Sequence, residues 1–300
     1  MRKIIVLIFI SGLLITSISC SSIRTGRKYL NSNDNKTQQT IPANNEDKIS
    51  SGPVTDVPWS EDETFKAAQL KMNAPIQMAA YRTVLRDPLP GEENNVHLAA
   101  RILAGKIVEP GRVFSMNNSI GPYSSARGFQ KGPVYIGGQL STTTGGGVCK
   151  MASTLYNVAV LSDLPIVERH SHGMPVPYVP YGQDATVSTG VADIKFKNDL
   201  SYPILIWAQG VDNTLYVAFY GLKSAPQIEW HHEILQQFKT YTIYRNNPSL
   251  PKGTEKTVVE GMDGAQVKSW ITITNGDGST KTKELGMSSY RPLPIVVERN

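Results

Sequence analysis

The chain has 300 residues, only two of them Cys, and a formal net charge of +5 from 30 basic and 25 acidic residues. Removing the first 19 residues leaves 28 basic against 25 acidic residues, or +3. This weak excess, without any block of Lys and Arg, argues against a nucleic-acid-binding protein.

The first 19 residues have the order of a secretory signal peptide. Arg2 and Lys3 form a short positive region, residues 4–15 are apolar at all but two positions, and small polar residues follow. A single membrane anchor is the alternative, but the apolar run is shorter than the ~20 residues that a spanning helix needs. We therefore expect an extracytoplasmic protein of the cell envelope.

Cys20 comes directly after these small residues, an order that resembles a lipoprotein signal, in which the Cys becomes the lipidated N-terminus. Ser17 departs from that pattern, because Leu is usual three positions before the Cys. An ordinary signal cleaved near Ser19 or Ser22 is the alternative. Two acyl chains suffice for stable anchoring, so lipidation predicts a protein tethered to the membrane.

Residues 20–62 are dominated by Asn, Ser, Thr, Gln, Lys and Asp, with almost no aromatic residues. Such a segment buries too little apolar surface to offset the entropy of ordering. We predict a disordered tether that lets the following domain reach into the wall or periplasm.

Residues 63–223 have the pattern of a globular domain. A strand is predicted over 79–85 and a short helix over 96–104, capped by Asn94 or Asn95. A Gly-rich stretch then leads into 148–162, where the apolar residues have helical spacing on nearly every side, which indicates a buried helix.

Strands predominate after this helix. Those predicted within the domain cover 166–169, 185–188, 194–197, 204–208 and 215–220 and suggest a curled antiparallel sheet. Residues 224–300 are predicted as a linker and a small all-β unit of alternating strands. The fold class is therefore α+β, with a buried Cys-bearing helix packed on the curled sheet.

Cys149 opens the buried helix directly after Gly145, Gly146 and Gly147. The N-terminus of a helix presents unpaired N–H groups and the positive end of the dipole, both of which favour a thiolate. Such a Cys is a candidate nucleophile, and the amides of the turn are candidate oxyanion donors.

A base and an orienting carboxylate follow in the chain. His170 and His172 are candidate general bases. Asp184, Asp193 and Glu168 are the carboxylates in reach to orient the base, and Asp184 is the one assigned to that role. If the stretch is extended, the two His side chains point to opposite faces, so only one faces Cys149. The alternatives are a Cys that is merely packed and a zinc site of Cys149, His170 and Asp184, which has no ligand spacing to support it. No other cofactor is predicted.

Several motifs follow one another within residues 76–222: PGRVFSMNNSIGP, GGGVCKMASTLYN, ERHSHGMPVPYVPYGQDATV and DIKFKN with PILI. Together they resemble the VanW family, named for a vancomycin-resistance gene cluster. The family usually has Gln where this chain has Lys150. The stretch PSLPKGTEKTVVEGMDG and the C-terminus resemble the glycine-five (G5) domain, a β module for which carbohydrate or wall binding has been proposed.

Two functions fit these patterns. One is a binding protein of the envelope, for peptidoglycan or its precursors, with the three glycines, Lys150, Tyr135 and Tyr178 contacting a wall peptide or glycan. The other is a cysteine-dependent amidase, peptidase or transpeptidase of the wall that uses Cys149, His170 or His172, and Asp184. A part in antibiotic resistance follows from the family name alone.

Overall fold

The computed structural model describes residues 50–85, 88–136 and 139–300. Cys20, the signal region and most of the predicted tether lie outside these residues. The chain combines a few helices with many strands, as predicted, and its C-terminal part is all-β. Among the residues described, no helix is both long and apolar enough to cross a membrane.

The helices and strands are numbered in chain order. The helices are α1 (Glu63–Met72), α2 (Glu92–Leu103), α3 (Met116–Ser119) and α4 (Cys149–Leu161). The strands before α4 are β1 (Gly52–Pro53), β2 (Ile76–Val84), β3 (Lys106–Val108), β4 (Val113–Ser115), β5 (Lys131–Ile136) and β6 (Gln139–Thr144). The strands between α4 and residue 221 are β7 (Ile166–Glu168), β8 (Lys195–Lys197), β9 (Ile204–Val211) and β10 (Thr214–Gly221). The remaining strands are β11 (Gln227–Phe238), β12 (Thr242–Asn246), β13 (Glu255–Val259), β14 (Gly264–Thr274), β15 (Thr280–Tyr290) and β16 (Ile295–Arg299).

A five-stranded antiparallel sheet, in the order β1-β2-β10-β9-β3, forms the centre of the first domain. Strand β10 is buried on both faces. Leu215, Val217 and Phe219 belong to the main core, whereas Ala218 and Tyr220 pack with Phe65 of α1. Helix α4 packs on β2 and β10 on the side of the main core.

Helix α4 is almost entirely enclosed, because ten of its 13 residues are buried. Thr83 of β2 and Thr154 of α4 share a buried hydrogen bond of 2.7 Å, which satisfies both hydroxyls in the core. This burial fixes the axis of α4 and therefore the place where its first residue, Cys149, meets the surface.

Two predicted elements differ in the structure. Helix α2 begins at Glu92 with Gly91 as its N-cap, so Asn95 is inside the helix and not a cap. Its buried amide donates to the carbonyls of Gln130 and Gly146, each at 2.9 Å, and thus positions the glycine turn. Residues 185–188 form no strand, because the chain there bonds to α4 and to the His170 carbonyl in place of a neighbouring strand.

The C-terminal all-β part begins with β11 at Gln227. Strands β11, β14 and β15 form one antiparallel sheet, and β16 pairs with β12 in parallel and with β13 antiparallel. Ile271 and Ile273 of β14 belong to the main core. The ring of Trp230 lies 5.5 Å from that of Tyr156 on α4, edge to face. The two parts of the chain therefore share a hydrophobic core.

Candidate active site

The glycine turn brings Cys149 to the start of α4 because two backbones meet closely behind it. A side chain at Gly146 would lie 2.2 Å from the Gly132 carbonyl of β5, so only glycine fits. Gly145 and Gly147 have φ values of +81° and +96°, in the left-handed region. Gly145 and Gly146 donate their amides to the carbonyls of Gln130 and Thr143, at 2.9 and 3.0 Å.

These hydrogen bonds determine which of the predicted oxyanion donors can still bind a substrate. The amide of Gly146 already has a carbonyl partner and is not available to a substrate. Within the described part of the chain, the amides of Gly147 and Cys149 have no backbone acceptor. The two free donors therefore flank Val148 at the beginning of α4.

Cys149 is partly exposed, and polar groups surround its sulfur. The sulfur lies 3.3 Å from the hydroxyl of Thr186 and 3.8 Å from the carbonyl oxygen of Val187. Burial raises the pKa of the thiol, but a hydrogen bond and the charge of His172 outweigh this effect, with help from Thr186. The net result is a thiol pKa lowered from 9.0 to about 7.

His172 joins Cys149 to a carboxylate. Its Nδ1–H donates to Oδ2 of Asp184 at 2.7 Å, and its backbone N–H donates to the same oxygen at 2.7 Å. With Nδ1 held, Nε2 is the nitrogen left for the thiol. Burial lowers the pKa of His172, but the bonds to Asp184 and Cys149 raise it more, to about 9. Each group thus stabilises the charged form of the other, which favours a thiolate–imidazolium pair.

Asp184 is buried and accepts four hydrogen bonds. Besides the two from His172, its Oδ1 accepts from Arg169 Nη2 at 2.9 Å and from the Tyr290 hydroxyl at 2.6 Å. Burial raises the pKa of this carboxyl, but the His172 bond and the charge of Arg169 lower it below its ordinary value. The carboxylate is therefore ionised and fixed, as an orienting group must be.

The structure brings Cys149, His172 and Asp184 together and leaves His170 apart. The His170 ring is half exposed and lies 3.1 Å from Glu168 on the surface. The alternative zinc site needs His170 beside Cys149 and Asp184, whereas the His170 ring lies against Glu168. Among the residues described, no three His, Cys, Asp or Glu side chains are grouped to hold a metal ion.

The predicted binding residues occupy distinct places around the thiol. The Lys150 ammonium pairs with the buried Glu92 and lies 4.9 Å from the centre of the Tyr178 ring. Its charge is therefore balanced inside the protein. The Tyr178 ring also meets that of His172 edge to face, at 6.5 Å. Tyr135 is on β5, but its side chain lies outside what the structure describes.

Sequence reasoning missed the groups that support this arrangement. Ser153 and Asn157, one turn apart on α4, bond to the backbone of Ala185 and Gln183 and hold the segment that carries Asp184. Thr186 resembles any β-branched strand residue in the sequence, so nothing marked it as a neighbour of the thiol. Nothing in the sequence indicates which acidic group the side chain of Arg169 contacts.

Fold and site together define a two-domain protein, with a mixed α/β domain that carries the cysteine site and an all-β domain after it. Residues 91–220 match the family model described as VanW like protein, and residues 233–298 match the G5 domain model. The chain therefore carries a VanW-like domain followed by a G5 domain, and both predicted resemblances are confirmed. This pair of domains is typical of proteins associated with the cell envelope.

Two curated relatives share part of the chain. "Uncharacterized protein YoaR" of Bacillus subtilis (strain 168) is 36% identical over 145 residues, 48% of this chain and 48% of its own length. "Vancomycin B-type resistance protein VanW" of Enterococcus faecalis (strain ATCC 700802 / V583) is 33% identical over 118 residues, 38% of this chain and 43% of its own. The alignments thus span about half the length of these relatives.

A solved G5 domain of IgA1 protease is also similar. It is 21% identical, with a TM-score of 0.17, and the match covers 27% of this chain and 96% of that one.

Proposed function

We propose that this protein is a cysteine-dependent acyl transferase or hydrolase of the bacterial cell wall, with Cys149 as nucleophile and His172 as its acid and base. The observation that carries the proposal is that Asp184 holds His172 through a 2.7 Å bond to Nδ1, while His172 stabilises the thiolate of Cys149. A packed structural Cys requires neither an imidazole nor a buried carboxylate behind it.

The reaction begins with the thiolate–imidazolium pair. The Cys149 sulfur attacks the carbonyl carbon of an amide, and the negative charge moves to the carbonyl oxygen, where the amides of Gly147 and Cys149 are the available donors. As the C–N bond breaks, His172 gives its Nε2 proton to the leaving amine, and a thioester remains on Cys149. Neutral His172 then takes a proton from water, or from an acceptor amine, which attacks the thioester and releases the thiolate.

Water as acceptor makes the protein an amidase or peptidase, and an amine makes it a transpeptidase. Asp184 takes no proton in either case. It holds His172 in the tautomer that presents Nε2 to the sulfur and stabilises the imidazolium.

The domain pair supports the substrate class, since a G5 domain suits attachment to wall polymers and wall peptides supply the amide bonds. We also propose that the protein is exported and lipidated on Cys20, with residues 20–62 as a tether. The VanW-like domain then covers residues 63–223, with its Cys-bearing helix packed on its sheet, and a linker and the G5 domain cover residues 224–300. The names of the relatives give no reaction, because one is called uncharacterized and the other is named for a type of resistance.

Replacing Cys149 by Ala is expected to abolish turnover of wall peptides, because the site loses its nucleophile. The fold should stay intact, because the change removes only one sulfur atom from a small side chain. The measurement is mass spectrometry of muropeptides incubated with the purified protein, together with an acid-quenched search for an acyl adduct on Cys149. The Cys20→Ala variant keeps Cys149 and its neighbours, so it should retain both muropeptide turnover and the acyl adduct. Undiminished turnover by Cys149→Ala contradicts the proposal. Muropeptide binding by both variants without any turnover makes the protein a binding module.

A further inference from the structure

The C-terminal domain reaches into the cysteine site through one side chain. Tyr290, at the end of β15, is almost fully buried, and its hydroxyl donates to Oδ1 of Asp184 at 2.6 Å. The same hydroxyl accepts the amide of Gly182 at 2.8 Å. Its orientation is thus fixed by one donor and one acceptor, and both partners lie in the segment that carries Asp184.

A second contact from the same strand acts through Arg169. Arg169 donates from Nη1 to the buried Ser288 hydroxyl at 2.7 Å and from Nη2 to Asp184 at 2.9 Å. The same guanidinium also donates from Nε to the Asp184 carbonyl at 2.7 Å, so it is held by the Asp184 segment and by β15 together. Strand β15 therefore supplies one of the two donors on Oδ1 of Asp184 directly and contacts the other through Ser288.

The loop that carries His172 is held from the same side. The amide of Arg291 donates to the carbonyl of Gly173 at 2.9 Å, one residue after the imidazole. Met174 packs against the buried cluster that includes Leu293 and Val296. The backbone on which His172 stands is thus fixed by residues of the C-terminal domain.

We propose that the C-terminal domain completes the cysteine site, with Tyr290 as a positioning residue for Asp184 and Ser288 acting on the same carboxylate through Arg169. This inference rests on the proposed function and extends it, because the domain is then part of the reacting machinery as well as an attachment module. The polar groups that face Asp184 are His172, Arg169 and Tyr290. Those near the thiol are His172, Thr186, Tyr123 and Tyr178.

The test compares two neighbouring tyrosines whose rings lie 5.4 Å apart. Tyr290→Phe removes the donor to Asp184, whereas Tyr181→Phe removes a hydroxyl that bonds at 2.6 Å to the backbone carbonyl of Asp263. Each variant keeps the full chain and loses one oxygen of the same interface. The readouts are the rate of Cys149 alkylation by iodoacetamide at pH 6.5 and the downfield proton resonance of the His172 Nδ1–H.

We expect Tyr290→Phe to lower the alkylation rate at pH 6.5 on the order of tenfold, because a displaced His172 stabilises the thiolate less and each unit by which the thiol pKa rises reduces the thiolate fraction about tenfold. The His172 resonance should broaden as its partner loses a fixed position, and Tyr181→Phe should change neither signal. Equal effects of the two variants, or none from a folded Tyr290→Phe, overturn the inference. If Tyr290→Phe does not fold, Ser288→Ala is tested in its place. We expect the His172 resonance to broaden in this variant as well, and an unchanged resonance would count against the inference. An unreactive thiol in the unmodified protein instead rejects the proposed function itself.

Discussion

Replacing His172 by Gln is expected to slow alkylation of Cys149 at pH 6.5 by about two orders of magnitude. The hydrogen bond and charge of His172 are what lower the pKa of the thiol from 9.0 to about 7, against the opposing effect of burial. Without them the pKa returns at least to its ordinary value, and each unit reduces the thiolate fraction about tenfold below that pKa. The measurement is the rate of reaction with iodoacetamide.

His170→Gln is the matched control, since it makes the same change two residues away. The His170 ring lies on the surface beside Glu168, so we expect its alkylation rate to equal that of the unmodified protein. A slow His170→Gln variant, or a fast His172→Gln variant, would show that the base has been assigned to the wrong imidazole.

The Asp184→Asn change is expected to cost both stability and reactivity. An amide at this position places donor hydrogens against the N–H groups of His172 and leaves the Arg169 guanidinium without a counter-charge. Breaking a buried ion pair on one side costs about 3–5 kcal/mol. We expect a lower urea midpoint at unchanged slope and, in the folded variant, slower alkylation of Cys149 at pH 6.5.

Asp193→Asn serves as the control for burial alone. Asp193 is also buried, but its carboxylate accepts from the Ser115 hydroxyl and the amides of Asn117 and Ile194, away from His172. Its replacement should lower stability and leave the alkylation of Cys149 unchanged. Equal losses of alkylation in the two variants would mean that Asp184 supports the fold and not the imidazole.

The sequence identifies the cysteine helix because its signals are local. Three glycines before Cys149 and apolar residues on nearly every side of the following helix need no knowledge of the rest of the chain. Asp184 could be named as a candidate to orient a His, but its other partners, Arg169 and Tyr290, could not. Tyr290 lies 106 residues after Asp184 in the chain and contacts its carboxylate only because the two domains pack together.

The choice between His170 and His172 also depends on contacts that are distant in sequence. An extended stretch would point the side chains of His170 and His172 to opposite faces. The sequence does not show which of the two faces Cys149. Strand β7 ends at Glu168, and the irregular chain after it is held by Asp184 and Arg291. Residues 185–188 are predicted as one of several strands separated by turns, but hydrogen bonds to Ser153 keep this segment against α4.

The most direct test of the cysteine site is the rate of Cys149 alkylation by iodoacetamide between pH 5 and 10 in the folded protein. A thiolate is the reactive form, so the rate rises with pH and is half-maximal at the pKa of the thiol. We predict a midpoint near pH 7, because His172 and Thr186 stabilise the thiolate more than burial disfavours it. A midpoint at or above pH 9, or no reaction until denaturant is added, would make Cys149 a packed residue and contradict its assignment as a nucleophile.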